Sequence, residues 1–186
     1  MRAARCRNCP KNDCEFCMKV FARRSVIATL FISLFSFSVA TQTQASNTSK
    51  LQSFGSIYIP SIGVTAPLHV GIGNKSLAKG FGLWPNTALP GSRGNTVIAG
   101  HRTSHLRPLF YIDKIAIGDI IYFYTPTGTA KYKVTKHQIV KPRDVWIIRQ
   151  TRASIATFFA CHPLRSTKER YVVTASLVKF TPKKKR

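Results

Sequence analysis

The sequence predicts an all-β domain folded as a single closed or nearly closed barrel, and three observations carry that reading. Short runs rich in β-branched and aromatic residues recur between turn signals, only two brief segments offer room for a helix, and no internal repeat divides the chain. The runs are Ser56 to Ile59, Asn95 to Ala99, Ile120 to Thr125, Lys131 to Val140, Ile155 to Cys161 and Arg170 to Phe180. Pro126-Thr127-Gly128 stands between two of them and has the composition of a hairpin turn. Lys75 to Lys79 and Pro108 to Ile115 are the two helical segments. Pro163 cannot donate to a ladder, so the run that carries Cys161 is expected to end there. Short strands with long connections fit a barrel whose loops do the chemistry.

Composition sets the scale. The chain has 186 residues, 44% hydrophobic and 11% aromatic, enough for one globular domain with a substantial core and too few for a large multidomain assembly. Lys and Arg number 29 against 6 Asp and Glu, a net charge of +23, which points to anionic surroundings: nucleic acid, an acidic lipid surface or an acidic wall polymer. So few carboxylates exclude a calcium cluster. Helix-turn-helix and zinc-finger patterns are absent, and no nucleic-acid partner is expected.

The chain divides by composition into five parts. Residues 1–24 form a basic tail expected on the cytoplasmic side. Residues 25–40 are strongly apolar, with Lys19, Arg23 and Arg24 just before them, and read as a membrane-targeting segment. Its length corresponds to about 24 Å of helix, short of a hydrocarbon core of about 30 Å, so part of the following polar stretch has to help it span. Small residues at Ser38-Val39-Ala40 and Thr43-Gln44-Ala45 also suit a signal-peptide cleavage site, and Met18 suits an alternative start. A retained single-pass anchor is the preferred reading; both fates place everything downstream outside the cell. Residues 41–53 are a polar linker, 54–180 the folded domain, and 181–186 a basic tail.

The five cysteines are unevenly placed. Cys6, Cys9, Cys14 and Cys17 lie in the first tail with C-x2-C-x4-C-x2-C spacing, whose middle interval is too short for the usual zinc ribbon. No metal or cofactor is expected. Cys161 stands alone in an exported domain, where free thiols tend to oxidise, and asks for a catalytic explanation. The runs ending at Cys161 and beginning at Arg170 are joined by a short loop, so antiparallel pairing would set the thiol beside the guanidinium. A cation there stabilises a thiolate nucleophile and the oxyanion formed when it attacks a carbonyl. A leaving amine needs a proton, and His101, which follows the run Thr96-Val-Ile-Ala-Gly100, emerges at a strand end suited to supply it.

These residues resemble a known family. Gly94-Asn-Thr-Val-Ile-Ala-Gly-His101-Arg-Thr-Ser-His105, Phe110 to Gly118-Asp119, Val140-Lys-Pro142-Arg-Asp144-Val-Trp146, Thr157-Phe-Phe-Ala-Cys161-His-Pro163 and Glu169-Arg170 together look like a sortase. Gly80-Phe-Gly-Leu-Trp84-Pro85 and Ala88-Leu-Pro90-Gly91 match as well, and the ensemble is most similar to the class E sortases of actinobacteria. The family motif Thr-Leu-x-Thr-Cys keeps Thr157 and Cys161 but has Phe158 and Ala160 at the other two positions.

The resemblance implies an eight-stranded β-barrel and a membrane-anchored cysteine transpeptidase. Such an enzyme cuts secreted proteins at a C-terminal Leu-Pro-x-Thr-Gly or Leu-Ala-x-Thr-Gly signal and joins them to an amine of peptidoglycan or its lipid II precursor. Cys161 would be the nucleophile, His101 the proton carrier and Arg170 the oxyanion donor. His105, Trp146 and Thr157 are assigned to substrate binding, with Pro142 to Ser154 as a wall of the groove. Arg165 is the alternative to Arg170. His162 adjoins the nucleophile but points to the other side of the strand, which sets it aside as the acid. The competing function is a non-catalytic basic module that binds an envelope polymer.

Overall fold

A computed structural model describes residues 53–184. The tail, the apolar segment, nearly all of the linker and the four early cysteines lie outside those residues. Among the described residues no helix is long and apolar enough to cross a membrane.

Eight strands appear in chain order: β1 (Ser53–Ile59), β2 (Val64–Val70), β3 (Phe81–Leu83), β4 (Gly94–Ala99), β5 (Ile120–Thr125), β6 (Gly128–Val140), β7 (Ser154–His162) and β8 (Glu169–Pro182). They close into a barrel in the order β1-β2-β3-β4-β7-β8-β6-β5. Two neighbouring pairs are parallel, β2 with β3 and β4 with β7, and the other described pairings are antiparallel. One short helix, α1 (Asn74–Leu77), follows β2, and 3-10 turns occupy Pro60–Ile62, Ile112–Lys114 and Val145–Ile148.

All six expected runs are strands, and Pro126-Thr127 turns β5 into β6 as a tight hairpin. The remaining strands, β2 and β3, escape a search for β-branched runs for local reasons. β2 contains Pro67 and His69, and β3 is only three residues long with a central glycine. Gly82 is there because a Cβ would lie 2.6 Å from the Gly71 carbonyl oxygen and 2.8 Å from Leu77 Cδ2, so only glycine lets β3 pass beneath α1. At the other end, β8 continues to Pro182, so the first two residues assigned to the basic tail belong to the sheet: Thr181 and Pro182 pair with Thr129 and Gly128.

The barrel interior is filled by Ile57, Leu68, Phe81, Ile98, Ile121, Phe123, Tyr132 and Phe158, all fully buried. Phe158 meets Phe81 edge-on at 6.3 Å between centroids and Phe123 at 5.7 Å, which ties β7 to both sides of the barrel. Leu109, Ile112 and Ile115 from the β4–β5 connection join the same core and close one end of the barrel. Leu109 packs directly against Gly100, where a Cβ would lie 2.8 Å from Leu109 Cδ1. The end of β4 therefore needs a glycine immediately before His101.

Truncating the central aromatic should be costly: Phe158→Ala is expected to lower unfolding free energy by about 3–5 kcal/mol, measured by chemical denaturation.

Candidate active site

β7 lies between β4 and β8, and that position assembles the site. On the antiparallel side Cys161 is directly opposite Arg170. On the parallel side the register runs from Gly94 opposite Ser154 to Ala99 opposite Phe159, and continuing it two steps sets His101 level with Cys161. Neighbouring strands stand about 4.8 Å apart, so the three residues form a row across the sheet. Side chains alternate: Phe158 belongs to the interior cluster, so Cys161, at an odd offset from it along β7, faces the outside of the barrel, and His101 stands just past the end of β4 at the same offset from Ile98. Cys161 is a free, partly buried thiol.

Arg170 is held by its own loop. Its Nη1 donates to the carbonyl oxygens of Thr167 and Glu169, both at 2.9 Å. The Nε–H and both Nη2–H groups make no hydrogen bond among the described residues and are left as donors for an incoming acceptor. Arg165, the alternative, is exposed in the β7–β8 loop with a left-handed backbone (φ 64°). His101 is partly buried, with the exposed His105 ring beside it at 5.6 Å between centroids. Burial first, and the charge of His105 second, lower the pKa of His101 below the ordinary 6.5 of a histidine.

A cleft of about 250 Å³ opens beside this row, lined by Ile72, Trp84, Lys141, Pro142, Asp144, Val145, Ile147, Ile148, Phe159 and Arg170. Trp84 packs on Phe159 at 5.8 Å, giving the cleft an aromatic floor. One wall is the β6–β7 connection, as the sequence reading expects of Pro142 to Ser154. Trp146 lies in that wall but is 44% exposed and does not line the cleft; Trp84 is the aromatic that does. Within the 3-10 turn Val145–Ile148, the half-buried Ile147 and Ile148 and the exposed Val145 border the cleft, while Trp146 points away from it.

Thr157 also differs from a direct ligand-binding residue. It is 3% exposed, and its hydroxyl donates to Asn95 Oδ1 at 2.8 Å. Asn95, itself buried, donates from Nδ2 to the carbonyl oxygens of Ile147 (2.9 Å) and Arg149 (3.1 Å), and its backbone pairs with the Gln150 side chain in both directions. Thr157 orients Asn95, and Asn95 fastens the cleft wall to β4. Sequence reasoning passed over Asn95, Trp84 and Arg102. The available signal was a buried polar residue inside an apolar run for Asn95, and adjacency to the functional segments for the other two.

A closed eight-stranded barrel with a strand-end thiol between an imidazole and a guanidinium has a counterpart among known proteins. The chain belongs to the sortase family, whose sortase domain matches residues 57–178. It is 29% identical to sortase SrtE1 of Streptomyces coelicolor over 152 residues, which cover 72% of this chain and 43% of that protein. Among solved structures, sortase E from Streptomyces avermitilis superposes with a TM-score of 0.64 at 29% identity, covering 70% of this chain and 91% of that one. A Clostridium perfringens sortase D5 transpeptidase gives a TM-score of 0.64 at 32% identity, covering 69% and 80%. The sortase E relatives support a class E-like assignment. The chain spans 43–62% of the length of the curated relatives it matches.

Two measurements follow. Asn95→Ala removes two donated and one accepted side-chain hydrogen bond, and is expected to cost about 2–3 kcal/mol and to speed amide hydrogen exchange at residues 147–150. His105→Ala removes the nearby charge, so the His101 pKa should rise from its lowered value toward 6.5 in an NMR titration. Because a lowered pKa confines the protonated imidazole to lower pH, that variant should carry the alkaline limb of a His101-dependent reaction to higher pH.

Proposed function

We propose that this protein is a cysteine transpeptidase that cleaves a sorting signal of the Leu-Pro-x-Thr-Gly or Leu-Ala-x-Thr-Gly type between Thr and Gly and transfers the protein to an amine of the cell wall. The single observation that carries the reading is the row His101, Cys161, Arg170 across β4, β7 and β8, with the apolar cleft opening from Arg170.

The chemistry follows from that row. The signal lies in the cleft with its Thr carbonyl carbon over the Cys161 sulfur. Attack forms the S–C bond and puts negative charge on the carbonyl oxygen, which the free Nε and Nη2 donors of Arg170 receive. His101, protonated, gives its proton to the glycine nitrogen as the C–N bond breaks, leaving a thioester and a free amine. An acceptor amine, from peptidoglycan or lipid II, then attacks the thioester carbonyl. His101 takes the surplus proton, the C–S bond breaks and Cys161 is regenerated.

The strong positive charge supports work at an anionic envelope surface. The basic residues flanking the apolar segment 25–40 support a single-pass anchor with the barrel outside the cell. Secreted proteins bearing the signal are its donor partners. A non-catalytic polymer-binding module would also use the charge, but it leaves the flanked thiol and the cleft without a task.

Incubating the full chain with both peptides, with and without an amine acceptor, should give cleavage after Thr and a thioester detected by mass spectrometry. Cys161→Ala should abolish both, and His101→Ala or Arg170→Ala should lower kcat/KM by about 100-fold or more. The preferred peptide assigns the subclass. Absence of cleavage and of thioester with every peptide would sink the reading.

A further inference from the structure

We infer that Arg102 is a positioning residue: its buried guanidinium clasps His162 and thereby holds the two strand ends that carry His101 and Cys161 at a fixed separation. The inference rests on the transpeptidase reading only in assigning chemistry to that pair.

Backbone pairing between β4 and β7 runs out just before the reacting residues. Its final described bond is from the Gly100 N–H to the Phe159 carbonyl at 3.3 Å. Beyond it the His101 carbonyl accepts instead from the Leu109 N–H at 3.1 Å, so β4 has already turned away into the β4–β5 connection. His101 and Cys161 therefore sit one step past the ladder, on chain ends whose backbones are no longer joined to each other.

The next step along both strands supplies a crosslink. His162, the last residue of β7, points by alternation to the side of Phe158 and hence the barrel mouth, and Arg102, which follows His101 directly, reaches it there. Arg102 is 5% exposed, and its Nη1 lies 3.0 Å from His162 Nδ1. A guanidinium only donates, so His162 Nδ1 accepts and the ring proton sits on Nε2. The same guanidinium donates from Nε to the Phe110 carbonyl at 3.2 Å and pairs through Nη2 with Asp113 Oδ1 at 2.6 Å. One side chain thus fastens four points: the residue after His101, the loop at Phe110, the 3-10 turn at Asp113 and the residue after Cys161. Tyr171, whose ring lies 5.5 Å from that of His162, supports the imidazole from the β8 side.

Three fixed bonds on a planar guanidinium define an orientation that a lysine ammonium, a single rotating point, does not reproduce. Asp113, whose side chain is 37% exposed, neutralises the buried guanidinium from the rim, so the cation is paired while its partner keeps contact with water. Small misplacement of reacting groups is expensive in rate, so the contribution of the clasp should appear in turnover rather than in substrate affinity.

The test separates positioning from acid–base chemistry and from packing. In the full chain, His162→Asn keeps an acceptor oxygen close to the place of Nδ1 but cannot titrate, while His162→Phe keeps the ring and loses the acceptor. The Phe variant should lose about 10- to 100-fold in kcat with KM within about 2-fold, and the Asn variant no more than about 3-fold. Arg102→Lys should behave like the Phe variant, with its unfolding midpoint followed in parallel. Independently of any peptide, histidine-labelled wild type should show an unprotonated, hydrogen-bonded Nδ1 at His162 by nitrogen NMR. The alkylation rate of Cys161 should change in the Phe variant and stay near wild type in the Asn variant. A Phe variant as fast as wild type, an Asn variant as slow as Phe, or a proton on Nδ1 would each overturn the clasp. Should no peptide be cleaved at all, the tautomer and the alkylation rates still decide it, so failure of the transpeptidase reading is told apart from failure of the clasp. If the Phe variant does not fold, the tautomer and the Asn and Lys variants carry the decision.

Discussion

The parallel pairing of β4 with β7 is the constraint on which the site depends. It joins segments sixty residues apart in the chain, and its register decides which residue of each stands beside which. Because side chains on paired strands alternate together, a register that buries Ile98 and Phe158 inside the barrel also turns Cys161 outward, level with His101 just past the end of β4. A slip of one residue would send Cys161 into the barrel and break the core in the same stroke. Stability and chemistry are therefore set by one choice. The antiparallel β7–β8 pair then adds Arg170 through a short local connection, so the trio combines one long-range and one local contact.

Acidic residues are scarce, and three of the four in the folded domain have a specific local task for the carboxylate. After Thr41 the chain has only Asp113, Asp119, Asp144 and Glu169. Asp113 neutralises the buried Arg102. Asp119 accepts the Ala116 N–H at 2.8 Å and closes the turn that leads into β5. Asp144 accepts the Lys141 N–H at 2.7 Å and shapes the start of the cleft wall, while lining the cleft itself. Glu169 differs, for it serves Arg170 through its backbone carbonyl and not through its carboxylate. The surplus of Lys and Arg is left without internal partners of this kind and sets the field the domain presents to its surroundings. Within that field burial and then His105 lower the pKa of His101, so its titration is tuned by a neighbour to which it makes no hydrogen bond.

Two polar networks flank the trio on opposite faces of the same strands. On the outer face Thr157, Asn95 and Gln150 secure the wall of the cleft. On the inner face Arg102, His162 and Asp113 secure the strand ends. Each is centred on buried polar groups, Asn95 and Thr157 in one and Arg102 in the other, and leaving such a group unpaired is costly, which restricts how each network can be arranged. The loops at this end of the barrel are in this way tied to the strands beneath them.

The sequence by itself determined the all-β class, six of the eight strands, the β5–β6 hairpin and the pairing of Cys161 with Arg170, whereas the place of His101 beside them follows from the long-range β4–β7 register. Those depend on local patterns: β-branched runs, a turn tripeptide, a proline that ends a strand and a short connection that forces antiparallel pairing. It did not reveal β2 and β3, whose glycine and proline make sense only once α1 and the neighbouring strands are in place. It assigned Trp146 and Thr157 by their position in motifs, whereas the tertiary structure put Trp84 in the cleft and made Thr157 a buried support for Asn95. Adjacency in a motif says which residues are near the site along the chain. Which of them face it is decided by alternation, the winding of a 3-10 turn and the pairing of buried polar groups, and those are properties of the closed barrel alone.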